Sequence, residues 1–364
     1  MCAIFEIICN ICRELFRWGT KGTMRPKILF TGWLIPVLLL PACIPTSPRC
    51  DREEVFCVGL VTNIAGIDDN SLNQSAWEGI LQSQMGLGAR VQYIESVDSR
   101  DYEKNIAAFA SENYDVIVTV GFGMGNATIK VAGLYPNIDF IGVDQFQDEE
   151  TPSVTGLIFP EDRGGFLVGA LAAMMSTTGT IGAVCGPDFI SSHWQLGEGY
   201  KAGAAYVDRT MGTITDVFIV YQDNDGDSSL DSESANTARS MIEQGADAIF
   251  ACNNDLFDNS TLIAAARAGA HVIGADHDRY LTVPEAAPSM LTSVVKLAAP
   301  SVLELISLSH DDRLPSGNHF GEVEIAPFHE LENEIPTEVT AAMDEIKAGL
   351  RDGSIRTDVP PEKP

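Results

Sequence analysis

The stretch that decides the fold is Val58-Gly59-Leu60-Val61-Thr62-Asn63, followed by Ile64-Ala65-Gly66-Ile67-Asp68-Asp69-Asn70 and by Ser71-Leu72-Asn73-Gln74-Ser75-Ala76-Trp77-Glu78-Gly79. The first segment is an apolar run that predicts a buried strand, and the second is a polar turn rich in Gly and Asp. The third predicts the opening of a helix. An open α/β sheet presents a ligand site in this way, between the carboxyl end of a strand and the amino end of the next helix.

The turn and the helix start supply four polar side chains that we expect to face a cleft: Asp68, Asp69, Asn73 and Gln74. Their carboxylate and amide groups can bind a ligand beside the free N–H groups of the helix start. Asp, Asn and Ser also cap helices very commonly, so an ordinary helix cap explains the same residues. On spacing alone the cap is favoured.

Strands and helices alternate through the first half of the chain. We predict strands at 57–63, 89–94, 116–120, 139–143 and 156–159, with helices at 71–86, 100–112 and 126–135. The Val- and Ile-rich strands lack polar alternation, which indicates a parallel sheet covered by helices on both faces. These elements make one lobe.

The same order restarts after residue 159. We predict strands at 180–185, 215–221, 248–252, 272–275 and 289–296, helices at 163–175, 198–207, 234–243, 260–268, 297–308 and 337–351, and a last extended segment at 321–326. The prediction is an α/β protein of two lobes, each a doubly wound parallel sheet, joined by a hinge. We expect residues 55–158 plus 291–315 in the amino-terminal lobe and residues 159–290 plus 316–357 in the carboxy-terminal lobe. Ligands of such proteins bind where the strand ends of both lobes face each other.

The charge balance excludes some partners. With 23 Lys and Arg against 51 Asp and Glu, the formal net charge is −28. A nucleic-acid surface is excluded, because phosphate binding needs clustered Lys and Arg. Attraction to an anionic membrane is disfavoured as well, so any membrane attachment would be covalent or through a spanning segment.

The N-terminal region has the pattern of an export signal. Arg25 and Lys27 precede an apolar run at 28–40, and Leu40-Pro41-Ala42-Cys43 follows. A basic start, a short apolar core and a small residue before the cleavage position predict a secretory signal. The last four residues resemble a bacterial lipobox, in which the Cys receives a lipid. The alternatives are a plain signal peptide and an uncleaved anchor.

We therefore expect residues 1–42 to be a signal region and residues 43–54 a tether anchored by lipid at Cys43. Met24 is a better start for a short signal, which would make residues 1–23 surplus. The predicted location is extracytoplasmic, at the cell membrane.

Four cysteines follow Cys43: Cys50, Cys57, Cys185 and Cys252. Cys57 and Cys185 lie in apolar, strand-like runs. We expect them to be buried small hydrophobic residues and not part of a disulfide framework.

No motif of catalysis is evident. The chain lacks Gly-x-Ser-x-Gly, a Walker Gly-Lys-Ser/Thr, His-Glu-x-x-His and a helix-opening Gly-x-Gly-x-x-Gly. Asp223-Asn224-Asp225-Gly226-Asp227 is similar to a fragment of a calcium loop, but it lacks the Glu at the twelfth position and predicts a surface turn. The sequence predicts a binding protein and not an enzyme, with no metal and no cofactor.

The candidate ligand-binding residues are those that follow predicted strands. They are Asn63, Asp68, Asp69, Asn73, Phe122, Asn126, Trp194, Asn253, Asn254, Asp276, Asp278 and Lys296. Carboxylates accept pairs of sugar hydroxyls, amides bind heterocycle edges and aromatic side chains stack on flat rings. A ligand that is part polyol and part heteroaromatic would use all three, although each Asp or Asn taken singly is also explained as a cap or a turn.

The chain resembles the basic membrane protein family, also called PnrA-like, over roughly residues 58–357. The resemblance rests on segments in matching order: Gly66–Gly79, Tyr135-Pro136-Asn137-Ile138-Asp139-Phe140, Gly165–Ala172, Glu198-Gly199-Tyr200-Lys201-Ala202-Gly203, Ile273-Gly274-Ala275-Asp276-His277-Asp278, Leu291-Thr292-Ser293-Val294-Val295-Lys296 and Glu324-Ile325-Ala326-Pro327-Phe328. These proteins are lipoproteins that bind purine nucleosides for ABC importers. The resemblance implies a type I periplasmic binding fold, with ABC permease and ATPase subunits as partners.

By this resemblance Asp276 would accept the ribose hydroxyls and Lys296 would donate to the same sugar. The base end departs from the family. Asn63 and Asn126 stand where the family has Asp, Leu72 replaces an aromatic stacking residue, and Asn253-Asn254-Asp255-Leu256-Phe257 replaces a Gly-rich segment. Trp194 and Phe257 are candidates to take over the stacking. The ribose end is therefore expected to be retained and the base end rebuilt.

The expected function is that of a lipid-anchored receptor that closes on a nucleoside-like ligand and delivers it to a permease. A riboflavin or another polyol-heteroaromatic ligand remains an alternative. A ligand sensor for a signalling partner is a second alternative, and a nucleoside hydrolase or phosphorylase a third, without an identifiable nucleophile.

Overall fold

The computed structural model describes Cys50 and residues 54–222, 230–252 and 255–364, without the side chains at 230, 231 and 255–257. The predicted signal region, Cys43, the turn at 223–227, the pair Asn253-Asn254 and the Phe257 side chain lie outside this description. Among the described residues, no helix combines the length and the apolar character needed to cross a bilayer.

The described elements alternate as the sequence predicts. The strands are β1 (Cys57–Val61), β2 (Arg90–Ile94), β3 (Val116–Val120), β4 (Asp139–Val143), β5 (Val154–Ile158), β6 (Thr180–Cys185), β7 (Asp216–Tyr221), β8 (Ala248–Cys252), β9 (His271–Gly274), β10 (Met290–Lys296), β11 (Gly317–Phe320) and β12 (Val323–Ile325). The α-helices are α1 (Leu72–Leu87), α2 (Tyr102–Ser111), α3 (Gly125–Ala132), α4 (Glu161–Met175), α5 (Ser191–Met211), α6 (Leu230–Glu243), α7 (Asp255–Arg267), α8 (Arg279–Thr282), α9 (Ala298–His310) and α10 (Thr337–Asp352).

The strands form two sheets with the same strand order. The first has the order β11-β5-β4-β3-β1-β2 and the second β12-β10-β9-β8-β6-β7. Neighbouring strands are parallel except for β12, which pairs antiparallel with β10. The predicted fold class, two doubly wound lobes joined by a hinge, is confirmed.

Each sheet is buried on both faces, as its continuous apolar strands require. In β1, Val58 and Leu60 belong to the core beneath α1 and α9, whereas Cys57 and Val61 belong to the core beneath α2 and α3. The second sheet is covered in the same way, by α4, α5 and α10 on one face and by α6 and α7 on the other.

Glycines allow α4 and α5 to pack with their backbones in contact. A Cβ atom added at Gly169 would lie 1.9 Å from the Tyr200 carbonyl oxygen, and one at Gly203 would lie 2.0 Å from that of Phe166. The close packing of α4 on α5 therefore depends on the glycines in the segments Gly165–Ala172 and Glu198–Gly203.

The structure places two strands, β10 and β11, in different sheets from those that we expected. β10 belongs to the second sheet and β11 to the first, so the chain crosses between lobes at about residues 159, 297 and 321 and not at 291 and 316. The Leu297 N–H donates to the Glu322 carbonyl (2.9 Å), and the Gly321 N–H donates to the Ile158 carbonyl (2.8 Å). Periodicity predicts that these strands exist, but their sheet depends on long-range pairing that a local pattern does not contain.

The expectation for the cysteines is wrong. Cys50 is bonded to Cys57, and Cys185 is bonded to Cys252. Cys185 and Cys252 are register partners on the adjacent strands β6 and β8, with Cα atoms 4.3 Å apart. The prediction failed because this register is a tertiary property. The predicted export signal was the available clue, since disulfides persist outside the cytoplasm.

Candidate functional site

The carboxyl edges of the two sheets meet at Lys296, the last residue of β10. Its ammonium lies 3.1 Å from the Asp144 carboxylate, which directly follows β4 in the first lobe. Parallel strands present their carboxyl ends at one edge, where open α/β proteins bind ligands. The contact therefore locates the candidate site between the lobes, beside the hinge.

Lys296 also binds two carboxylates of the second lobe. Its Nζ lies 2.7 Å from Glu161 Oε1, at the start of α4, and 3.0 Å from Asp276 Oδ1, after β9. The Lys296 and Glu161 side chains are only 5% and 6% exposed, against 29% for Asp144 and 26% for Asp276. An ammonium has three hydrogens, so these three contacts use its whole donor capacity.

Asp144 and Asp276 have the same unusual backbone conformation. Their φ angles are 61° and 71°, in the left-handed region that non-glycine residues rarely adopt. Each follows the fourth strand of its lobe, because β4 and β9 occupy matching places in the two sheets. Strain of this kind clusters at functional sites.

The cluster shifts the pKa values of its members. Burial raises the pKa of Glu161 to about 8; Lys296 opposes this shift, while Asp276 and Asp144 add to it. Burial alone would raise the pKa of Asp276, but Lys296 and then Arg279 lower it to about 2. Burial would lower the pKa of Lys296, but the three carboxylates hold it well above its usual value. Of the two carboxyl groups of the second lobe in this cluster, Glu161 therefore ionises less readily than Asp276.

In the first lobe, Asn63, Asp69 and Asn73 form one hydrogen-bonded group. The Asn73 amide donates to Asn63 Oδ1 (2.9 Å) and to Asp69 Oδ2 (2.8 Å) and is fully buried. Asp69 also accepts from the backbone N–H groups of Ser71 (2.8 Å), Asn73 (3.1 Å) and Gln74 (3.1 Å). Asp69 thus acts as the helix cap considered above, and Asp68 is exposed beside it.

Phe122 lies in the turn between β3 and α3, Asn126 is the second residue of α3, and both are exposed. Gln145, buried beneath this turn, donates to Thr119 Oγ1 (3.0 Å) and to the Gly121 carbonyl (3.2 Å). Asn63 borders the same turn, since a Cβ atom added at Gly121 would lie 3.1 Å from its amide nitrogen. These polar groups therefore share one side of the site.

Three phenylalanines at strand ends are open to solvent. Phe122 after β3, Phe146 after β4 and Phe189 after β6 are 76%, 62% and 75% exposed. They come from both lobes. Exposed aromatic rings beside a strand-end edge are typical of ligand sites, in which the ligand covers them.

Trp194 lies on a helix and not in a loop, because α5 begins at Ser191, seven residues before the predicted start. Its ring stacks on Tyr221 with centroids 5.8 Å apart, and its buried indole N–H has no hydrogen-bond partner among the described residues. Asp278, also a candidate, caps α8 through the Tyr280 N–H (3.2 Å) and binds His329 (2.7 Å). Leu72 packs against the first-lobe core.

The sequence prediction missed Asp144, Gln145 and Glu161. Asp144 met the criterion used for Asp276, a polar residue directly after a buried strand, and could have been found by it. Glu161 was missed because the predicted helix began at Arg163. Gln145 follows Asp144 and carried no separate signal.

The arrangement can bind a ligand that offers hydroxyl groups and a flat ring. Carboxylates accept from hydroxyls, the ammonium donates to their oxygens, and aromatic rings cover the flat part. Two lobes with facing strand ends, connected by three chain crossings, define the two-lobed α/β architecture of periplasmic binding proteins.

Within that class, the chain belongs to the Bmp family of PnrA-like ABC transporter substrate-binding proteins, whose family model matches residues 57–320. A CD4+ T-cell-stimulating antigen of Listeria monocytogenes is 27% identical, over 85% of this chain and 89% of its own. The ABC transporter nucleoside-binding protein BmpA of Lactococcus lactis is 26% identical, over 71% of this chain and 76% of its own. An ABC solute-binding protein of Aeropyrum pernix has the same fold, with a TM-score of 0.65, 23% identity and 84% and 94% coverage.

Proposed function

We propose that this protein is the receptor of an ABC importer for a nucleoside, which it binds by closing its lobes without chemical conversion. The observation that carries the proposal is the Lys296–Asp276 pair, 3.0 Å apart at the edge where the lobes meet. A donor and an acceptor at this spacing match neighbouring ribose hydroxyls, each of which donates and accepts. The Lactococcus lactis relative named for nucleoside binding supports the same ligand class.

The base would lie toward the exposed rings and amides. Phe122 and Phe189 are open to stacking, and Trp194 offers an indole N–H that no described residue binds. Asn126 and Asn63 offer amides, which both donate and accept and so suit the edge of a heterocycle. The fully buried Asn73 supports this group by holding the Asn63 Oδ1 (2.9 Å). Asn254 belongs to the proposed set on sequence grounds. Closure would cover the rings, which gives lobe movement its driving force.

The test is calorimetric titration of the purified protein with nucleosides, the matching free bases, ribose and riboflavin. We expect binding of one or more nucleosides and weaker or absent binding of the base and the ribose alone. Binding of riboflavin with no response to any nucleoside would reject the nucleoside while keeping a solute receptor.

We propose further that the protein acts outside the cytoplasm, held at the membrane by a lipid on Cys43 and delivering its ligand to permease and ATPase subunits. The Leu40-Pro41-Ala42-Cys43 box and the preceding apolar run support this anchor. Membrane fractionation tests it: Cys43→Ala should move the protein from the membrane fraction to the soluble one. A variant that stays in the membrane fraction would argue for an uncleaved span.

A further inference from the structure

Lys296 has no hydrogen left to offer a ligand. Its ammonium is bound by Asp144 (3.1 Å), Glu161 (2.7 Å) and Asp276 (3.0 Å), one carboxylate for each hydrogen. A ligand that accepts from this ammonium, as the proposed function requires, must therefore replace one of the three carboxylates.

Asp144 is the carboxylate that can leave. Glu161 is buried and has the shortest contact, and the Asp276 backbone is held beside Lys296 in the same lobe, because the Lys296 N–H donates to the Asp276 main-chain carbonyl (3.2 Å). Asp144 has the longest contact, is the most exposed of the three and comes from the other lobe. Its release costs least, because water can solvate the freed carboxylate.

We propose that Asp144 is a specificity-determining residue: its carboxylate holds the Lys296 hydrogen that the ligand's sugar takes, so that ligand binding and release of Asp144 are a single exchange. The proposal rests on the proposed function and adds a residue that the resemblance did not assign.

The exchange selects the chemistry of the ligand. A hydroxyl accepts from the ammonium in place of Asp144 and donates to Asp276, so both charged groups stay paired. A ligand without hydroxyls at this position cannot displace Asp144, and it gains nothing from Lys296. A ligand with neighbouring hydroxyls can therefore displace Asp144 from Lys296, whereas a heterocycle without hydroxyls cannot.

Replacement of Asp144 by Asn tests the exchange. Asp144→Asn removes the competing charge and keeps the size, so we expect the affinity for a nucleoside to rise severalfold. The affinity for its 2′,3′-dideoxy analogue should stay unchanged. Asp148→Asn, an exposed carboxylate of the same segment, removes the same charge elsewhere and should leave both affinities unchanged.

If Asp144→Asn lowers the nucleoside affinity, the proposal that the ligand displaces Asp144 from Lys296 is wrong, because Asp144 would then be a direct ligand contact. An equal change for both ligands would overturn it too, since the effect would not depend on the hydroxyls.

A measurement without ligand separates this proposal from the nucleoside assignment. The Lys296–Asp144 pair joins the lobes, so Asp144→Asn should speed amide hydrogen exchange at the crossings, where the Leu297 and Gly321 N–H groups are bonded. If the wild-type protein binds no nucleoside, the proposed function is wrong. The rate of amide hydrogen exchange still decides whether Asp144 restrains the lobes. An unchanged rate would overturn that role.

Discussion

Asp144 and Asp276 occupy equivalent positions in opposite lobes, both with left-handed backbones, and both bind the ammonium of Lys296. The duplicated topology thus places two carboxylates face to face at the hinge, and one lysine connects them. Lobe position and ligand binding are coupled through this lysine, because any group that takes its hydrogens competes with a contact between the lobes.

Removal of the Asp276 carboxylate should abolish the ribose contribution to binding. A hydrogen bond to a charged group is worth about 1.5–3 kcal/mol, so Asp276→Ala should lower nucleoside affinity by roughly ten- to a hundredfold. Calorimetric titration measures it, with the free base as internal control. Equal losses for nucleoside and base would indicate general damage to the site, and an unchanged nucleoside affinity would rule Asp276 out as the ribose acceptor.

The buried Glu161 should make stability depend on alkaline pH. Its pKa is raised from 4.5 to about 8, so the folded protein holds a proton that the unfolded chain releases. This proton stabilises the folded state fully below about pH 4.5, and the stabilisation is lost as the pH rises through about 8. Each pKa unit of the shift corresponds to about 1.4 kcal/mol in the free energy of unfolding.

Glu161→Gln removes this titration, because the glutamine side chain neither binds nor releases a proton in this pH range. We expect the melting temperature of the wild type to fall between pH 6 and pH 9 by more than that of Glu161→Gln. Parallel curves for the two proteins would show that Glu161 is ionised in the folded state. Asp276 does not interfere, because its pKa of about 2 lies far below this range.

Asp69 offers a way to separate capping from ligand binding. It accepts from the N–H groups of Ser71, Asn73 and Gln74, and loss of a helix cap costs about 0.5–2 kcal/mol. Asp69→Ala should lower the free energy of unfolding by this amount in urea denaturation. Asp69→Asn keeps an acceptor oxygen and should stay close to wild type. A loss of ligand affinity in Asp69→Asn, without a loss of stability, would assign the carboxylate to the ligand.

Local patterns predicted most of this fold, and long-range contacts account for what they missed. Val58–Val61 and Val116–Val120 are recognisable as buried parallel strands from composition alone. The sheet that receives β10, the Cys185–Cys252 bond and the meeting of Lys296 with Asp144 all join residues more than 60 positions apart or depend on such pairing. Periodicity contains no information of that kind, and for Asp276 and Lys296 only the resemblance to a family supplied it.

The close packing of α4 on α5 should tolerate no side chain at Gly169. An added Cβ atom would lie 1.9 Å from the Tyr200 carbonyl oxygen, so Gly169→Ala must separate the helices and should cost about 1–3 kcal/mol or more. Gly86→Ala is the matched control, because nothing lies within 4 Å of its added Cβ atom on α1. The control should be neutral or stabilising by up to about 1 kcal/mol. Similar effects of both substitutions in urea denaturation would mean that the α4–α5 contact is not tight.

The two disulfides should differ in their contribution to stability. Cys185 and Cys252 are 67 positions apart, and Cys50 and Cys57 are 7 apart. Loop-closure entropy predicts a loss of about 4 kcal/mol when the first pair is replaced by Ala and about 2.5 kcal/mol for the second. Denaturation of the two double variants measures this difference.

Cys185–Cys252 also joins β6 and β8 at the edge of the candidate site, so its removal should weaken ligand binding, whereas removal of Cys50–Cys57 should not. Equal binding in both variants would mean that strand pairing alone fixes this edge.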